Sequence, residues 1–250
     1  MGRPALSVVV LCYRSGDAAR GFAEQVKQAL LAAGIADYQL VLVGNYVEGA
    51  DDATPAVVRS LAAADPRIVC STLPKRGMMG WDMRTGLALA TGEVIGVIDG
   101  DGQVLAGDLA RLYRLLVEGG FDLVKTRRVR RADGALRRVL SAGYNLLFRA
   151  LFPGLDAHDV NAKPKLFRRQ AYERLRLAAD GWFIDAEMMI QARRLRFRIA
   201  ELPTEFLGLG GRRSFVSPSA VGEFVRELAV YRWRERRAAK PGDGGSRSGA

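Results

Sequence analysis

The 250-residue chain is 49% hydrophobic and 26% charged, ordinary proportions for a globular protein and enough for one large domain with a full core. A formal net charge of +11 points to an anionic partner: nucleic acid, an acidic membrane surface or a phosphorylated substrate. No stretch approaches the roughly 18–20 apolar residues that span a bilayer. Cys12 and Cys70 lie in apolar runs without metal-ligand spacing, so they read as reduced core residues of a cytosolic protein.

Leu6–Leu11 reads as a buried strand that runs into Cys12-Tyr13-Arg14-Ser15-Gly16. A helix over about 17–33 follows, with Phe22, Val26, Ala29 and Leu30 at helical spacing. The second strand, 40–43, ends in Gly44-Asn45-Tyr46, and Pro55 then sits in the first turn of a helix that carries Val57, Val58 and Leu61 inward. Ile68–Ser71 is a third strand, and strands alternating with helices at this pitch predict parallel βαβ units. The stretch 75–84, with Lys75, Arg76, Gly77 and Gly80, is a glycine-interrupted basic loop leading into a helix through Gly86 and Leu87. Such an approach to a helix N-terminus suits phosphate binding, although it also fits a plain connector.

The run 94–98 is short, apolar and β-branched, as expected of a strand buried on both faces. It ends in Asp99-Gly100-Asp101-Gly102-Gln103. Ligands of an open α/β sheet sit outside the carboxyl ends of its strands, which puts both carboxylates where a substrate would lie. Two carboxylates that close call for a cation between them, and hard oxygen ligands suit Mg²⁺ or Mn²⁺, most often carrying a diphosphate. The plain alternative is a solvated Asp-Gly turn.

A helix over 109–117 and a strand over 121–125 precede a tract dense in arginine: Arg127, Arg128, Arg130, Arg131, Arg137 and Arg138, with Asp133-Gly134 as a turn. Tyr144, Leu146, Leu147, Phe148, Leu151 and Phe152 follow. Charge runs are usually solvated faces, but cations beside exposed apolar groups would suit a ligand with an anionic head and a greasy tail. His158, the only histidine, reads as structural or surface. The loop 159–165 mixes Asp159 with Lys163 and Lys165 ahead of a strand or turn at Leu166-Phe167, and 172–177 reads as a short helix. A further helix runs to Leu195 with Asp185 and Glu187 in its first turn, where acids complement the helix dipole or face a sugar. The segments 197–202 and 204–207 are strand-like, and 208–214 is a loop carrying Arg212, Arg213 and Ser214. From 219 to 237, Phe224, Leu228, Tyr231 and Trp233 alternate with arginines, which fits either a helix on an anionic membrane surface or one packed back on the domain. The Gly/Ser-rich stretch from Lys240 reads as a disordered tail.

Tyr13 after the first strand, Lys75 and Gly77 ahead of a helix, and Asp99-Gly-Asp101-Gly-Gln103 at the fourth strand together resemble the family 2 glycosyltransferases of the GT-A fold. Phe121 to Val124 with Arg127, Ser141 to Asn145, Asp159-Val160-Asn161, Lys165 to Arg168 and Glu201 to Thr204 are similar to its polyprenyl-phosphate branch, and the resemblance covers roughly residues 5–216. It implies an α/β, Rossmann-like, mostly parallel sheet flanked by helices over 1–214, after which the residue pattern sets a C-terminal amphipathic helical segment over 215–238 and the composition a disordered tail over 239–250. By the same resemblance, Asp99, Asp101 and Gln103 hold Mg²⁺ or Mn²⁺, and Tyr13, Asn45, Lys75 and Gly77 join Asp99 and Asp101 in binding a GDP- or UDP-linked sugar. Arg127, Arg137, Arg212, Arg213 and Ser214 would face the acceptor phosphate.

The chain departs from the family pattern at two places. The usual Asn-Glu after the first tyrosine is Arg14-Ser15, and the usual paired aspartates after the second strand are Gly44-Asn45. The expected reaction is inverting transfer of a sugar to a lipid phosphate by a protein held peripherally on the cytoplasmic face of the cell membrane, as a homo-oligomer or with a membrane-protein partner if it has one. A phosphate monoester, with its second pKa near ~6, is already a nucleophile and needs no enzymic base. A saccharide hydroxyl would need one, for which Asp185 and Glu187 are the candidates. Nucleic-acid binding is disfavoured, because the arginines lack interleaved aromatics on a recognition element.

Overall fold

The structure, a computed structural model, describes residues 2–131, 135–155, 157–207 and 218–238. Side chains are not described at 130–131, 135–138, 218–221, 223, 234, 236 and 238. Seven strands, β1 (Leu6–Leu11), β2 (Tyr38–Val43), β3 (Ile68–Ser71), β4 (Val94–Asp99), β5 (Leu123–Arg131), β6 (Lys165–Arg168) and β7 (Ile199–Phe206), form one sheet in the order β3-β2-β1-β4-β6-β5-β7. All pairings are parallel except the two made by β6. The helices are α1 (Ala18–Ala32), α2 (Thr54–Ala64), α3 (Met79–Leu87), α4 (Gly107–Gly119), α5 (Ala135–Leu151), α6 (Arg169–Tyr172), α7 (Ile184–Arg194) and α8 (Pro218–Ala238).

Alternation along the strands splits the core in two. Val9, Leu11, Val41, Val43, Ile95, Val97 and Phe167 pack with α3, α5 and α7, while Val8, Val10, Leu40, Leu42, Ile98 and Leu166 pack with α1, α2 and α4. Both faces are covered, which is why these strands read as continuous apolar runs. Two features of the topology position the site. β1 has β2 on one side and β4 on the other, so the strand order switches there and a crevice opens between the carboxyl ends of β1 and β4. Because β6 runs against its neighbours, with Lys165 opposite Val97 and Lys125, its beginning lies toward the carboxyl ends of β4 and β5.

Several expectations are corrected. The fifth strand runs on to Arg131, so Arg127 and Arg128 are strand residues paired with Pro203 and Thr204 of β7 rather than part of a loop. Residues 199–206 form one strand despite Pro203, which is tolerated because β7 lies at the sheet edge. The short helix expected at 172–177 ends at Tyr172. Most apolar residues after the arginine tract are core: Phe148 and Phe152 are fully buried, and Tyr144, Leu147 and Leu151 pack against them, while Leu146 is 63% exposed. Helix α8 packs back on the domain through buried Leu228, Tyr231 against Phe183, Phe224 against Tyr144, and Glu235 paired with Arg193. Among the described residues no helix is long and apolar enough to cross a membrane. Cys12 is buried, Cys70 is partly so, and both are free.

Candidate active site

The loop after β1 and the loop after β4 lie against each other. The Gly100 amide donates to the Leu11 carbonyl at 2.9 Å and Ser15 Oγ donates to the Gly100 carbonyl at 3.4 Å. A Cβ on Gly100 would stand 2.9 Å from the Leu11 carbonyl oxygen, so the approach requires glycine. Beside this seam the Tyr13 ring carries the Lys75 ammonium at 3.9 Å from its centroid, and Lys75 is ion-paired with Asp82 of α3. Burial pushes the Asp82 carboxyl above its usual range, with Lys75 and Asn45 opposing that.

Asn45 is fully engaged. Its Nδ2 donates to Asp82 Oδ1 at 3.0 Å and Thr85 Oγ1 at 2.8 Å, and its Oδ1 accepts from Ser71 Oγ at 2.8 Å and the Leu73 amide at 2.9 Å. An amide with both donors and both acceptor positions filled has nothing left to read a base edge. Asn45 thus serves here as a brace between β2 and α3. Gly77 is placed by close packing, since a Cβ there would come within 2.6 Å of the Asp180 carbonyl oxygen. That carbonyl accepts from the amides of Met78 (2.8 Å) and Trp81 (3.1 Å), tying the start of α3 to the segment 178–181. Glu187 holds the same segment from behind, its Oε2 accepting the amides of Ala178 and Ala179 at 2.9 Å each.

Asp99 and Asp101 stand at the end of β4, Asp101 exposed and accepting the Gln103 amide at 3.0 Å. Gln103 is buried and donates through Nε2 to the Leu207 carbonyl at 3.1 Å, which leaves its Oε1 for a ligand. Behind Asp99 runs a buried ionic chain. Lys163 Nζ lies 3.3 Å from Asp99 Oδ2 and 2.9 Å from Asp185 Oδ2, and Asp185 Oδ1 pairs with Lys165. Both lysines pair with Asp185, and these pairings offset part of the cost of burying the four groups together. Burial pushes the Asp99 carboxyl upward, Lys163 opposes it, and Asp101 and Asp185 add to it. Burial also pulls Lys165 down to about 7, whereas for Asp185 the two lysines outweigh burial and hold the carboxyl below its usual range.

The donor set fits a hard divalent cation. Among the described residues no group of three or more His, Cys, Asp and Glu side chains could hold an ion unaided. Two carboxylates with an amide oxygen suit an ion whose other ligands come from a diphosphate and water, the usual way Mg²⁺ is bound.

At the far side of β6 the arginines divide. Arg128 makes a bidentate pair with Asp159, at 2.8 Å from Nε to Oδ2 and 2.7 Å from Nη2 to Oδ1. Burial would raise the Asp159 carboxyl, but Arg128 and Lys125 hold it well below the carboxylate range. Arg127 is partly exposed and has no hydrogen-bond or ion-pair partner among the described residues, so its guanidinium is available to a ligand. Arg137 lies in the first turn of α5 with its side chain not described, and Arg212, Arg213 and Ser214 lie outside the described residues. The sequence reading missed Asp82, Lys125 and the two lysines of the 159–165 loop as parts of this edge. The only signal was a pair of lysines in an otherwise apolar approach to a strand.

Residues 7–176 match the profile of Glycosyl transferase family 2. The chain belongs to glycosyl transferase family 2. In class it is therefore a glycosyltransferase. Its relatives include the glycosyltransferase AglD of Haloferax volcanii, 34% identical over 168 residues, 64% of this chain and 26% of that one. A dolichyl-phosphate beta-glucosyltransferase of Trichomonas vaginalis is 25% identical over 72% of this chain and 57% of that one. The chain thus spans about a quarter of the first relative and somewhat over half of the second. In fold it is similar to glucosyl-3-phosphoglycerate synthase from Mycobacterium tuberculosis, solved with Mn²⁺, UDP and phosphoglyceric acid (TM-score 0.65, 18% identity, 96% of this chain and 81% of that one). The family 2 chain shares the GT-A sheet and helix layers of that enzyme.

Proposed function

We propose that this family 2 chain transfers a sugar, with inversion, from a GDP- or UDP-linked donor to a lipid phosphate. The observation that carries the reading is the state of the two candidate bases. Asp185 is held between Lys163 and Lys165, and Glu187 is buried with its Oε2 accepting two backbone amides, which ties that side chain to the segment 178–181. With both carboxylates buried and engaged in holding the fold, an acceptor that is already a nucleophile suits the site best, and a phosphate monoester is one at neutral pH. The kinship with a dolichyl-phosphate beta-glucosyltransferase supports the same acceptor class.

Asp99, Asp101 and Gln103 would hold Mg²⁺ or Mn²⁺, which supplies charge neutralisation of the departing diphosphate. Lys163 lies 3.3 Å from Asp99 Oδ2 and offsets part of the cost of ionising that carboxyl on its buried side. Lys75, steadied by Asp82 and Tyr13, adds positive charge on the donor side of the crevice. Arg127 orients the acceptor phosphate from the β5 end. A peripheral seat on the cytoplasmic face of an anionic membrane is supported by exposed Val139, Leu140 and Leu146 on α5 and Val225, Val230 and Trp233 on α8, in a chain of net charge +11. The second reading, a hydroxyl acceptor, draws on the phosphoglyceric acid bound in the mycobacterial synthase.

The test is a panel of nucleotide sugars with short polyprenyl phosphate and Mn²⁺ or Mg²⁺, run on the parent, Arg127→Ala and Glu187→Gln. A charge-assisted bond contributes about 1.5–3 kcal/mol, so Arg127→Ala should weaken acceptor use by roughly ten- to a hundredfold with donor binding unchanged. Glu187→Gln keeps an oxygen for both amides and should remain active. Loss of transfer in Glu187→Gln with its fold and donor binding intact, and no effect of Arg127→Ala, would replace the lipid-phosphate reading with a hydroxyl acceptor and a carboxylate base.

A further inference from the structure

Arg127 shares a shallow cavity on the outer edge of the sheet with His158, Ile199, Ala200 and Glu201. The carboxylate there is not a free negative charge. Glu201 Oε1 accepts from Lys125 Nζ at 3.0 Å and from the Asp159 amide at 3.3 Å, while Oε2 accepts from the His158 amide at 2.9 Å and lies 3.1 Å from His158 Nδ1. Lys125 is fully buried on the adjoining strand, with the carbonyls of Thr126 and Asp159 as its other partners. Burial would raise the Glu201 carboxyl, but Lys125 and the two amides outweigh that and keep it ionised.

This geometry orients the imidazole. An ionised carboxylate at Nδ1 assigns the proton to that nitrogen, as second-shell carboxylates do for histidines elsewhere. The ring is 56% exposed in its side chain. With Nδ1 engaged, Nε2 is the atom left to a ligand. One cavity thus offers a guanidinium with no ion-pair partner among the described residues, an imidazole fixed in one tautomer, and a carboxylate whose charge is balanced from behind by Lys125.

We infer that His158, held by Glu201, forms with Arg127 a subsite for a phosphate monoester. The chemistry favours that ligand class: the planar guanidinium takes two phosphate oxygens, and a singly protonated monoester still has a P–OH to donate to Nε2. An ionised carboxylate and a phosphodiester have no such proton to give. The inference rests on the acceptor-phosphate reading above and adds to it the residue that distinguishes a monoester. The phosphate could be a lipid headgroup or a small soluble phosphate, and the experiment separates these.

The test uses the full chain, with short polyprenyl phosphate and glycerol 3-phosphate as separate probes. Binding is followed by ³¹P NMR without donor, and KM for acceptor and for donor by transfer assay. The variants are His158→Ala, Glu201→Asp and Arg127→Ala, with thermal unfolding as the control for fold. His158→Ala should raise the acceptor KM about tenfold and narrow the bound ³¹P shift, with donor KM within twofold of the parent. Glu201→Asp should move acceptor KM in the same direction by less. Tight binding of polyprenyl phosphate alone assigns the lipid source, and equal binding of both probes assigns the headgroup alone as the recognised unit. If Arg127→Ala weakens acceptor binding while His158→Ala leaves it unchanged, the inference is wrong and the acceptor reading stands. If both variants bind and transfer as the parent does, the acceptor reading falls as well. Loss of kcat in His158→Ala on a hydroxyl acceptor, with KM unmoved, would instead make the imidazole a base and overturn both.

Discussion

Replacing Asp185 by asparagine separates a structural from a catalytic role for this carboxylate. Asp185 is 1% exposed and, among the described residues, joins Lys163 to Lys165 in the buried chain. Asparagine keeps the shape but removes the charge, and its amide presents a donor to one of two ammonium groups. Lys163 retains Asp99 at 3.3 Å, while Lys165 loses the carboxylate it is paired with. Removing one partner of a buried pair costs about 3–5 kcal/mol. At about 2–4 °C per kcal/mol for a chain of this size, the melting temperature should fall by roughly 6–20 °C. Thermal and urea unfolding measure the loss directly. The double variant Asp185→Asn/Lys165→Met should recover much of it, because an apolar replacement of the whole pair is often neutral or better. A catalytic base would behave in the opposite way, with turnover abolished and stability untouched. A melting temperature within 2 °C of the parent would refute the ionic-chain argument.

Two further substitutions probe the neighbouring networks. Asn45→Asp places a carboxylate against Asp82, where the present contact is 3.0 Å, and should cost about 1–3 kcal/mol and raise the donor KM; the exchange Asn45→Asp/Asp82→Asn restores a donor between the two positions and should recover stability in a denaturant titration. Asp159 has a folded pKa held below its ordinary value of 3.8, so its pair with Arg128 contributes fully above that pH and is lost as pH falls through the folded value. Asp159→Asn should therefore be less stable than the parent at pH 7 and should show a flatter acid limb between about pH 4 and 2 in unfolding measurements.

The sheet was legible because its strands are buried on both faces. The runs at 6–11, 40–43, 68–71 and 94–98 are continuous and β-branched, and each falls within a strand. The carboxylates at the end of β4 were legible from the same rule, since a strand that stops at an acid presents it at the ligand edge. The extension of β5 was not. Arg127 to Arg131 carry no apolar alternation, and they are strand because β7 pairs alongside them. Nor could the sequence separate a lipid-facing from a core-facing role for the aromatics of α5 and α8. Periodicity gives the spacing of a face but not what covers it, and here Phe148 meets Phe152 at 5.1 Å while Tyr231 meets Phe183 at 5.6 Å. His158 looked inert for a related reason: its partner Glu201 lies 43 residues away, on the edge strand.

The departures from the family pattern bear on donor choice. Where asparagine is usual after the first tyrosine, Arg14 stands at φ +51°, a left-handed conformation that asparagine adopts more readily. Ser15, in place of a glutamate, turns its hydroxyl to the Gly100 carbonyl and joins the β1 and β4 loops. At the end of β2, Gly44 is confined by Val58 and Thr54, with room for no Cβ at 2.8 Å from the valine methyl, and Asn45 is bonded on all sides. The nearest buried carboxylate, Asp82, is itself committed to Asn45 and Lys75. A carboxylate that reads guanine N1–H and N2–H₂ is therefore missing from both positions. The groups at this end of the crevice include the Tyr13 ring with its capped lysine and, in the loop after β2, Asp52, whose Oδ1 takes the Thr54 amide and hydroxyl. An aromatic ring stacks on uracil as readily as on guanine, and the two positions after β2 no longer favour guanine. UDP-linked sugars should accordingly be used at least as well as GDP-linked ones, and a donor panel showing strict preference for guanine would require a base-reading group elsewhere in the chain.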